Sequence, residues 1–254
     1  MLKLGTLLLI AASFAIAADS QLVIDRGLPQ TNLNNESGAG LRSNIRWSLY
    51  RQGFVGDTLQ IGQPGEFWVI DRVRVWAVPG VGGAEPAALG DVYQDVRLYF
   101  GAGDVTPVAT ARLAAGSNES ANENVAIGRE TEGRAVQYED FGANLNVWRI
   151  EFQNLDLAVE GGKAYNFAPY GMGRAMEREH GEPYPWFSHG SNAELSGAKQ
   201  DGANGKLLLF EPSGLFDEQF DSRLQSWNKS SDLNVQVWAH QETQARQDAA
   251  KRKK

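Results

Sequence analysis

The sequence predicts an all-β fold, an antiparallel β-sandwich of jelly-roll-like topology with one or two long loops. Three observations predict it. Apolar and polar residues alternate in many short segments, Gly- and Pro-containing breaks separate those segments, and no apolar stripe at helical spacing extends over three turns before the C-terminal tail. Short strands joined by tight turns, without helical crossovers, are typical of sandwiches and jelly rolls.

The clearest alternation lies in residues 71–78. Val73, Val75 and Ala77 fall on one side of this segment, whereas Arg72, Arg74 and Trp76 fall on the other, as expected of a strand with one buried face. The same period of two recurs further along the chain. It predicts strands at 95–100, 146–152 and 233–240, and weaker patterns predict strands at 22–25, 44–49, 57–61, 105–113, 135–141, 163–168 and 206–210.

Two kinds of break separate the predicted strands. Short ones such as 62–65 and 101–104 contain glycine, which permits the positive φ of tight turns, or proline, which cannot donate to a central ladder. Two others, 114–124 and 170–205, are too long to be simple turns. Long ordered loops on a β scaffold often carry binding or catalytic residues, so these two are candidate functional regions.

The N-terminus has the three parts of a signal peptide. Lys3 supplies the positive charge, a mainly apolar run extends from Leu4 to Ile16, and small residues precede a predicted cleavage after Ala17. The alternative is a retained anchor, which would need about 20 apolar residues. We therefore predict export to the cell surface, the extracellular space or the periplasm. The mature chain has no predicted membrane segment; it consists of one domain (18–240) and a basic polar tail (241–254).

Composition excludes several classes of function. The chain has 31 acidic and 24 basic residues and a formal net charge of −7, which argues against nucleic acid as a partner. It contains no cysteine, so the fold has no disulfides, and thiol nucleophiles, Cys-ligated zinc and iron–sulfur clusters are excluded. No cofactor is predicted. The basic tail is interpreted as a solvated terminus, in preference to a polyanion contact.

Aromatic residues are concentrated between positions 165 and 191, together with histidines and glutamates. An aromatic face packs against the C–H face of a sugar ring while nearby polar groups bond to its hydroxyls, so this composition fits a saccharide site. The competing interpretation is that these aromatics belong to the core or pack within the loop. The candidate ligand-binding residues are Tyr170, Tyr184, Trp186 and His189.

The same segment offers only fragments of a metal or catalytic site. His180 and His189 lie among acidic residues, but neither H-x-H nor H-E-x-x-H occurs, so no metal site is predicted. Glycoside hydrolysis needs two carboxylates about 5 to 9 Å apart. No spacing ties a pair together among the candidate carboxylates, which are Glu151, Glu177, Glu179 and Glu182. Catalytic residues therefore stay unassigned.

Five short segments carry a resemblance to a protein group. They are Arg26-Gly27-Leu28-Pro29 with Asn32-Leu33-Asn34-Asn35, then 42–47, Gly56-Asp57-Thr58-Leu59 and 70–76. This pattern resembles uncharacterised exported bacterial β-sandwich proteins, some of which carry sorting tails of the PEP-CTERM kind. The chain departs from those proteins because it has a basic stub in place of the sorting tail. The resemblance implies export and a sandwich fold; it implies no activity and no site residues.

Together these observations predict an exported, non-enzymatic β-sandwich protein that binds a surface or matrix glycan or forms part of an extracellular assembly. Its expected partner is an extracellular polysaccharide or another copy of itself. The alternative is a secreted carbohydrate-active hydrolase or lyase of jelly-roll type. Two carboxylates, or a histidine with a tyrosine, converging in one cleft would favour that alternative.

Overall fold

The computed structural model describes residues 19–29, 45–46, 53–79, 86–120, 124–132, 137–140, 143–175, 183–191, 204–221 and 232–242. The predicted signal peptide and residues 243–254 of the predicted tail lie outside this set. The strands are β1 (Gln21–Asp25), β2 (Ile45–Arg46), β3 (Phe54–Gln60), β4 (Phe67–Pro79), β5 (Tyr93–Gly101), β6 (Thr106–Arg112), β7 (Val125–Arg129), β8 (Gln137–Asp140), β9 (Ala143–Asn146), β10 (Trp148–Phe152), β11 (Leu157–Glu160), β12 (Ala164–Gly173), β13 (Trp186–Ser188), β14 (Lys206–Phe210), β15 (Phe216–Asp221) and β16 (Val235–Gln241). A 3-10 turn, Leu89–Asp91, is the one helical element within these ranges.

The strands form two main sheets. An eight-stranded sheet has the order β1-β16-β4-β10-β7, with β11 and β13 also paired to β4 and β2 paired to β13, while a six-stranded sheet has the order β15-β14-β3-β12-β5-β6. Strands β8 and β9 form a separate two-stranded sheet. Every strand pairing within the described ranges is antiparallel, which confirms the predicted antiparallel β-sandwich.

Eight of these strands follow the connectivity of a jelly roll. In one sheet β1, β16, β4 and β10 are neighbours, and in the other β3, β12, β5 and β6 are neighbours. Taken in chain order, these eight alternate between the sheets except at the β5–β6 hairpin, as the two Greek keys of a jelly roll require. The strand pair β14–β15 extends the six-stranded sheet beyond β3.

The interior between the sheets contains the residues that the alternation predicts. Val73, Val75 and Ala77 of β4 are at most 1% exposed, and the inward residues of β10 and β16 are equally buried. From the other sheet, Leu98 and Phe167 close the same core cluster. Burying apolar surface at about 25 cal/mol per Å² is the main force that holds the two sheets together.

Trp76 departs from the sequence prediction, which placed it on a solvent-facing side. It points away from the main core but is only 1% exposed, because it packs in a second cluster with Val78 and Val147, against Leu28 and Phe187. Its indole N–H donates to a Glu130 carboxylate oxygen. The alternation correctly predicts which residues face the main core, but the chain covers both faces of β4 at this point.

A buried ion pair fixes one end of the sandwich. Arg26, which follows β1, is 1% exposed, and Asp57 of β3 is fully buried. Nη1 of Arg26 donates to Oδ2 of Asp57 at 2.7 Å and to the carbonyl of Leu233 at 2.9 Å, while Nη2 donates to the carbonyl of Thr58 at 2.6 Å. Asp57 also accepts the backbone N–H groups of Thr58 (2.6 Å) and Leu233 (2.7 Å). The pair therefore joins β3 to the segments after β1 and before β16.

Burial also sets the ionisation of this pair. Complete removal from water raises the pKa of Asp57 to about 7, although Arg26 and the two backbone N–H donors pull it down. The guanidinium of Arg26 lies 5.7 Å from the centroid of the Phe167 ring, so one of its faces packs on an aromatic side chain.

Candidate functional site

The outer face of the six-stranded sheet is apolar over its centre. Buried residues of β3, β5, β12 and β14, and Val105 directly before β6, lie on this face, each at most 5% exposed. We call them the outer cluster, and they are Phe54, Tyr99, Val105, Ala168, Leu208 and Phe210. An apolar sheet face of this kind is rarely left open to water, so other parts of the chain must cover it.

Aromatic rings dominate the outer cluster. The ring of Phe54 lies with its centroid 4.4 Å from that of Tyr99, 5.7 Å from that of Phe210 and 5.4 Å from that of Tyr170. These separations are typical of favourable aromatic pairs. Tyr170 is only partly buried, so the cluster holds one side of its ring and leaves the remainder accessible.

The turn between β14 and β15, residues 211–215, covers the middle of this face. The N–H of Val105 donates to the carbonyl of Gly214 at 2.8 Å, and the N–H of Phe216 donates to Oδ1 of Asp104 at 2.9 Å. Gly214 has φ 92°, and a Cβ there would lie 2.1 Å from the carbonyl oxygen of Val105. Glycine thus permits both the backbone conformation and the close approach.

A groove of about 410 Å³ lies beside the turn, a volume within the range of small-ligand sites. We call it the aromatic groove. Its walls combine aromatic rings with two polar side chains and a few small or flexible residues. The described residues that line it are Gly53, Phe54, Gln94, Arg97, Tyr99, Tyr170, Met172, Gly173, Ala175, Pro183, Tyr184, Trp186 and Pro212.

One wall of the aromatic groove, residues 183–186, crosses the end of β12 because two glycines leave room for it. A Cβ on Gly171 would lie 2.3 Å from the Trp186 ring, and one on Gly173 would lie 2.1 Å from the carbonyl oxygen of Tyr184. The N–H of Tyr184 donates to the carbonyl of Arg174 at 2.8 Å. Close packing and a backbone hydrogen bond therefore hold this wall in place.

The wall is also tied to β5. Trp186 packs edge-on against Tyr93, with ring centroids 5.2 Å apart, and its indole N–H donates to the Ser188 hydroxyl at 2.9 Å. The Tyr93 hydroxyl donates to the carbonyl of Pro185 at 2.6 Å. Contacts of this number and quality make the wall part of the rigid scaffold, as a preformed binding site requires.

The charged residue of the groove is already paired. Arg97 binds Asp95 with two hydrogen bonds, Nε to Oδ1 at 3.0 Å and Nη2 to Oδ2 at 2.7 Å. Its Nη1 donates to the Tyr99 hydroxyl at 3.3 Å. The hydrogen bonds that Arg97 donates to Asp95 raise the pKa of Arg97 above its usual range, and burial raises the pKa of Tyr170. The groove therefore offers oriented polar groups with little net charge.

The structure brings three of the four predicted ligand-binding residues together. Tyr170, Tyr184 and Trp186 all line the aromatic groove, although Trp186 is only 3% exposed and packs mainly into the core. Their role in binding stays a prediction. Tyr170 belongs to β12 and Trp186 to β13, so the predicted long loop is partly strand. The acidic and histidine candidates of the same segment lie outside the described residues; they are Glu177, Glu179, His180 and Glu182.

His189 lies elsewhere, under the eight-stranded sheet's covered face. His189 is 3% exposed. Its backbone N–H donates to the carbonyl of Trp76 at 2.9 Å, and its backbone carbonyl accepts the N–H of Asn234 at 2.9 Å. Burial lowers the pKa of His189 to about 4, so the ring is neutral near pH 7. His189 therefore does not line the aromatic groove, unlike the other three predicted ligand-binding residues, because it is buried and its backbone is bonded to Trp76 and Asn234.

Sequence reasoning missed the residues contributed by β3 and β5. The alternation in 95–100 predicts that Arg97 and Tyr99 lie on the side of the strand away from the core, and no local pattern points to Phe54 or Gln94 as site residues. One signal was available in the sequence. The run Leu207-Leu208-Leu209-Phe210 is apolar at every position, which indicates a strand covered on both faces, and hence a covered outer sheet face.

Within the described ranges, no three His, Asp or Glu side chains are grouped as a metal site would require. None of the helices in those ranges has the length and apolar character needed to cross a bilayer. The fold and the groove define an all-β sandwich with an aromatic groove on one outer face. No protein-family model matches this sequence, and comparison with curated proteins and with solved structures likewise finds no match.

Proposed function

We propose that the protein is an exported, non-enzymatic carbohydrate-binding domain that holds a neutral sugar in the aromatic groove. One observation carries the proposal: Tyr170, Tyr184 and Tyr99 line one preformed cavity together with Arg97 and Gln94. Export rests on the signal-peptide pattern of the first 17 residues and on the resemblance to exported sandwich proteins.

Sugar recognition needs two kinds of group, and the groove has both. Aromatic faces pack against the C–H faces of a pyranose ring, while guanidinium, amide and phenol groups bond to its hydroxyls. Because Asp95 neutralises Arg97 through two hydrogen bonds, an anionic ligand would have to compete with that carboxylate. This competition favours a neutral sugar over an acidic one.

The lining favours binding over hydrolysis. A glycosidase places two carboxylates about 5 to 9 Å apart across its cleft. Among the described residues that line the aromatic groove there is neither a carboxylate nor an imidazole, and the carboxylate of Asp95 is bound by Arg97. The hydrolase alternative would require an acid and a base in this cavity, so the binding function is the better supported of the two.

The proposal is tested by screening the purified protein on an array of neutral oligosaccharides and measuring each hit by titration calorimetry. Tyr170→Ala is expected to weaken binding about tenfold, equivalent to about 1.4 kcal/mol, because it removes the partly exposed ring at the groove. Trp238→Ala is the matched control, since Trp238 is also a partly buried aromatic residue but lies in β16, in the other sheet.

Two results would contradict the proposal. One is an array on which no neutral saccharide binds the protein. The other is binding that survives Tyr170→Ala with unchanged affinity while Trp238→Ala has an equal or larger effect. A melting curve of each variant separates loss of binding from loss of folding.

A further inference from the structure

A second cavity lies on the same outer sheet face as the aromatic groove. Its volume is about 510 Å³, and its lining includes Thr58, Asp104, Asn166, Phe216 and Gln219. The two cavities share β12, since Asn166 lines the second and Tyr170 the first. The outward residue between them on this strand is Ala168 of the outer cluster. At about 3.3 Å per residue, some 13 Å of strand separate Asn166 from Tyr170.

The β14–β15 turn borders the aromatic groove, and the strand that follows it borders the second cavity. Pro212 lines the aromatic groove, and Phe216, directly after the turn, lines the second cavity. Exposed apolar side chains are concentrated here. Leu215 is 50% exposed and Phe216 is 44% exposed, and the only other large hydrophobic residue exposed within the described ranges is Leu22, in β1. Adjacent exposed apolar residues of this kind mark a contact surface.

The second cavity has the chemistry of a sugar subsite. Phe216 is held from behind by edge-on contact with Phe210, at 6.1 Å between centroids, and by its own N–H bond to Asp104. The amide of Asn166 is oriented by donation from Nδ2 to the carbonyl of Gly103 at 2.7 Å. An oriented amide, a hydroxyl from Thr58 and an exposed aromatic ring are the same kinds of group that line the aromatic groove.

We propose that the two cavities are subsites for one neutral oligosaccharide chain that runs along β12 and crosses the β14–β15 turn. This inference rests on the proposed function and extends it, because it specifies a polymeric ligand in place of a single sugar. A chain that occupies both subsites makes the second contact intramolecularly, so its affinity exceeds that of a fragment that reaches only one.

The test uses calorimetry with ladders of cello-, xylo-, manno- and chito-oligosaccharides, from disaccharide to octasaccharide. In the series that binds, affinity is expected to rise with chain length. Phe216→Ala is expected to weaken octasaccharide binding about fivefold or more while leaving disaccharide binding unchanged, whereas Tyr170→Ala weakens both. Gln219→Ala provides a second exposed variant at the same cavity, and Leu22→Ala is the control at an exposed position in the other sheet.

Different failures separate the two proposals. Binding whose affinity does not depend on length, or that Phe216→Ala and Gln219→Ala leave unchanged at every length, would overturn the two-subsite inference and leave the sugar site in the aromatic groove intact. Absence of binding to every ladder and to the array would overturn both.

Discussion

Removal of Arg26 should make the stability of the protein depend on pH in a predictable direction. In Arg26→Met the carboxyl group of Asp57 stays fully buried but loses its guanidinium partner. The pKa of Asp57 is already raised to about 7 by burial, and loss of Arg26 removes the largest effect that lowers it. At pH 7 the variant must bury a charge or take up a proton, and it leaves the carbonyls of Thr58 and Leu233 without their donor.

The magnitude follows from these contacts. Breaking a buried ion pair by removing one partner costs about 3 to 5 kcal/mol, so Arg26→Met should lose about that much at pH 7. A carboxyl group whose pKa is raised on folding stabilises the fold below its unfolded value, near 4, and loses that contribution as pH rises through its folded value. Lowering the pH from about 7 to about 5 should therefore stabilise Arg26→Met by about 2.5 kcal/mol relative to Asp57→Ala, at about 1.4 kcal/mol per pH unit, because every other titrating group contributes equally to both variants.

The assay is urea unfolding followed by tryptophan fluorescence at several pH values, with Asp57→Ala as the control. That variant leaves the guanidinium of Arg26 buried without a carboxylate, and since arginine does not deprotonate, acid cannot rescue it. His189 titrates identically in both variants, so the difference between them isolates Asp57. An Arg26→Met protein as stable as the wild type, or one whose stability changes with pH just as that of Asp57→Ala does, would refute the reasoning.

Two further predictions concern the same scaffold. Because burial lowers the pKa of His189 to about 4, the contribution of His189 to stability is complete above pH 6.5 and is lost as pH falls through 4. His189→Gln should therefore reduce the acid-induced loss of unfolding free energy by about 3 kcal/mol. Urea titrations at pH 7 and 4 check this, and an unchanged loss would contradict it. Gly171→Ala places a Cβ 2.3 Å from the Trp186 ring and should reduce stability in thermal unfolding by about 1 to 3 kcal/mol. The control is Gly128→Ala in β7, where nothing lies within 4 Å of the added Cβ, so this variant should melt like the wild type. Equal melting temperatures of the two variants would show that residues 183–186 move aside without a cost in stability.

The sequence alone is sufficient to predict which residues of β4 face the main core. In β4 the period of two identified Val73, Val75 and Ala77 as inward residues because burial on one face imposes that period on the sequence. It did not show that Trp76 is buried as well. Burial of Trp76 depends on Leu28 and Phe187, which are far from it in the chain and carry no signal in its local pattern.

The candidate site was predicted only in part, for a related reason. Tyr170, Tyr184 and Trp186 lie close together in the sequence, so the local composition alone indicates them as a group. Arg97 and Tyr99 reach the same groove through the pairing of β5 with β12, where Arg97 lies opposite Tyr170. Register between distant strands is a property of the folded sheets, so no local pattern places these residues beside the aromatic segment.

Strand β1 runs antiparallel to β16 at the edge of the eight-stranded sheet, with Gln21 opposite Ala239. The first residue of β1 and the end of β16 therefore lie at one corner of that sheet. The groove opens on the outer side of the other sheet. A tether attached beyond either of these two strands would therefore leave the aromatic groove accessible from the surroundings.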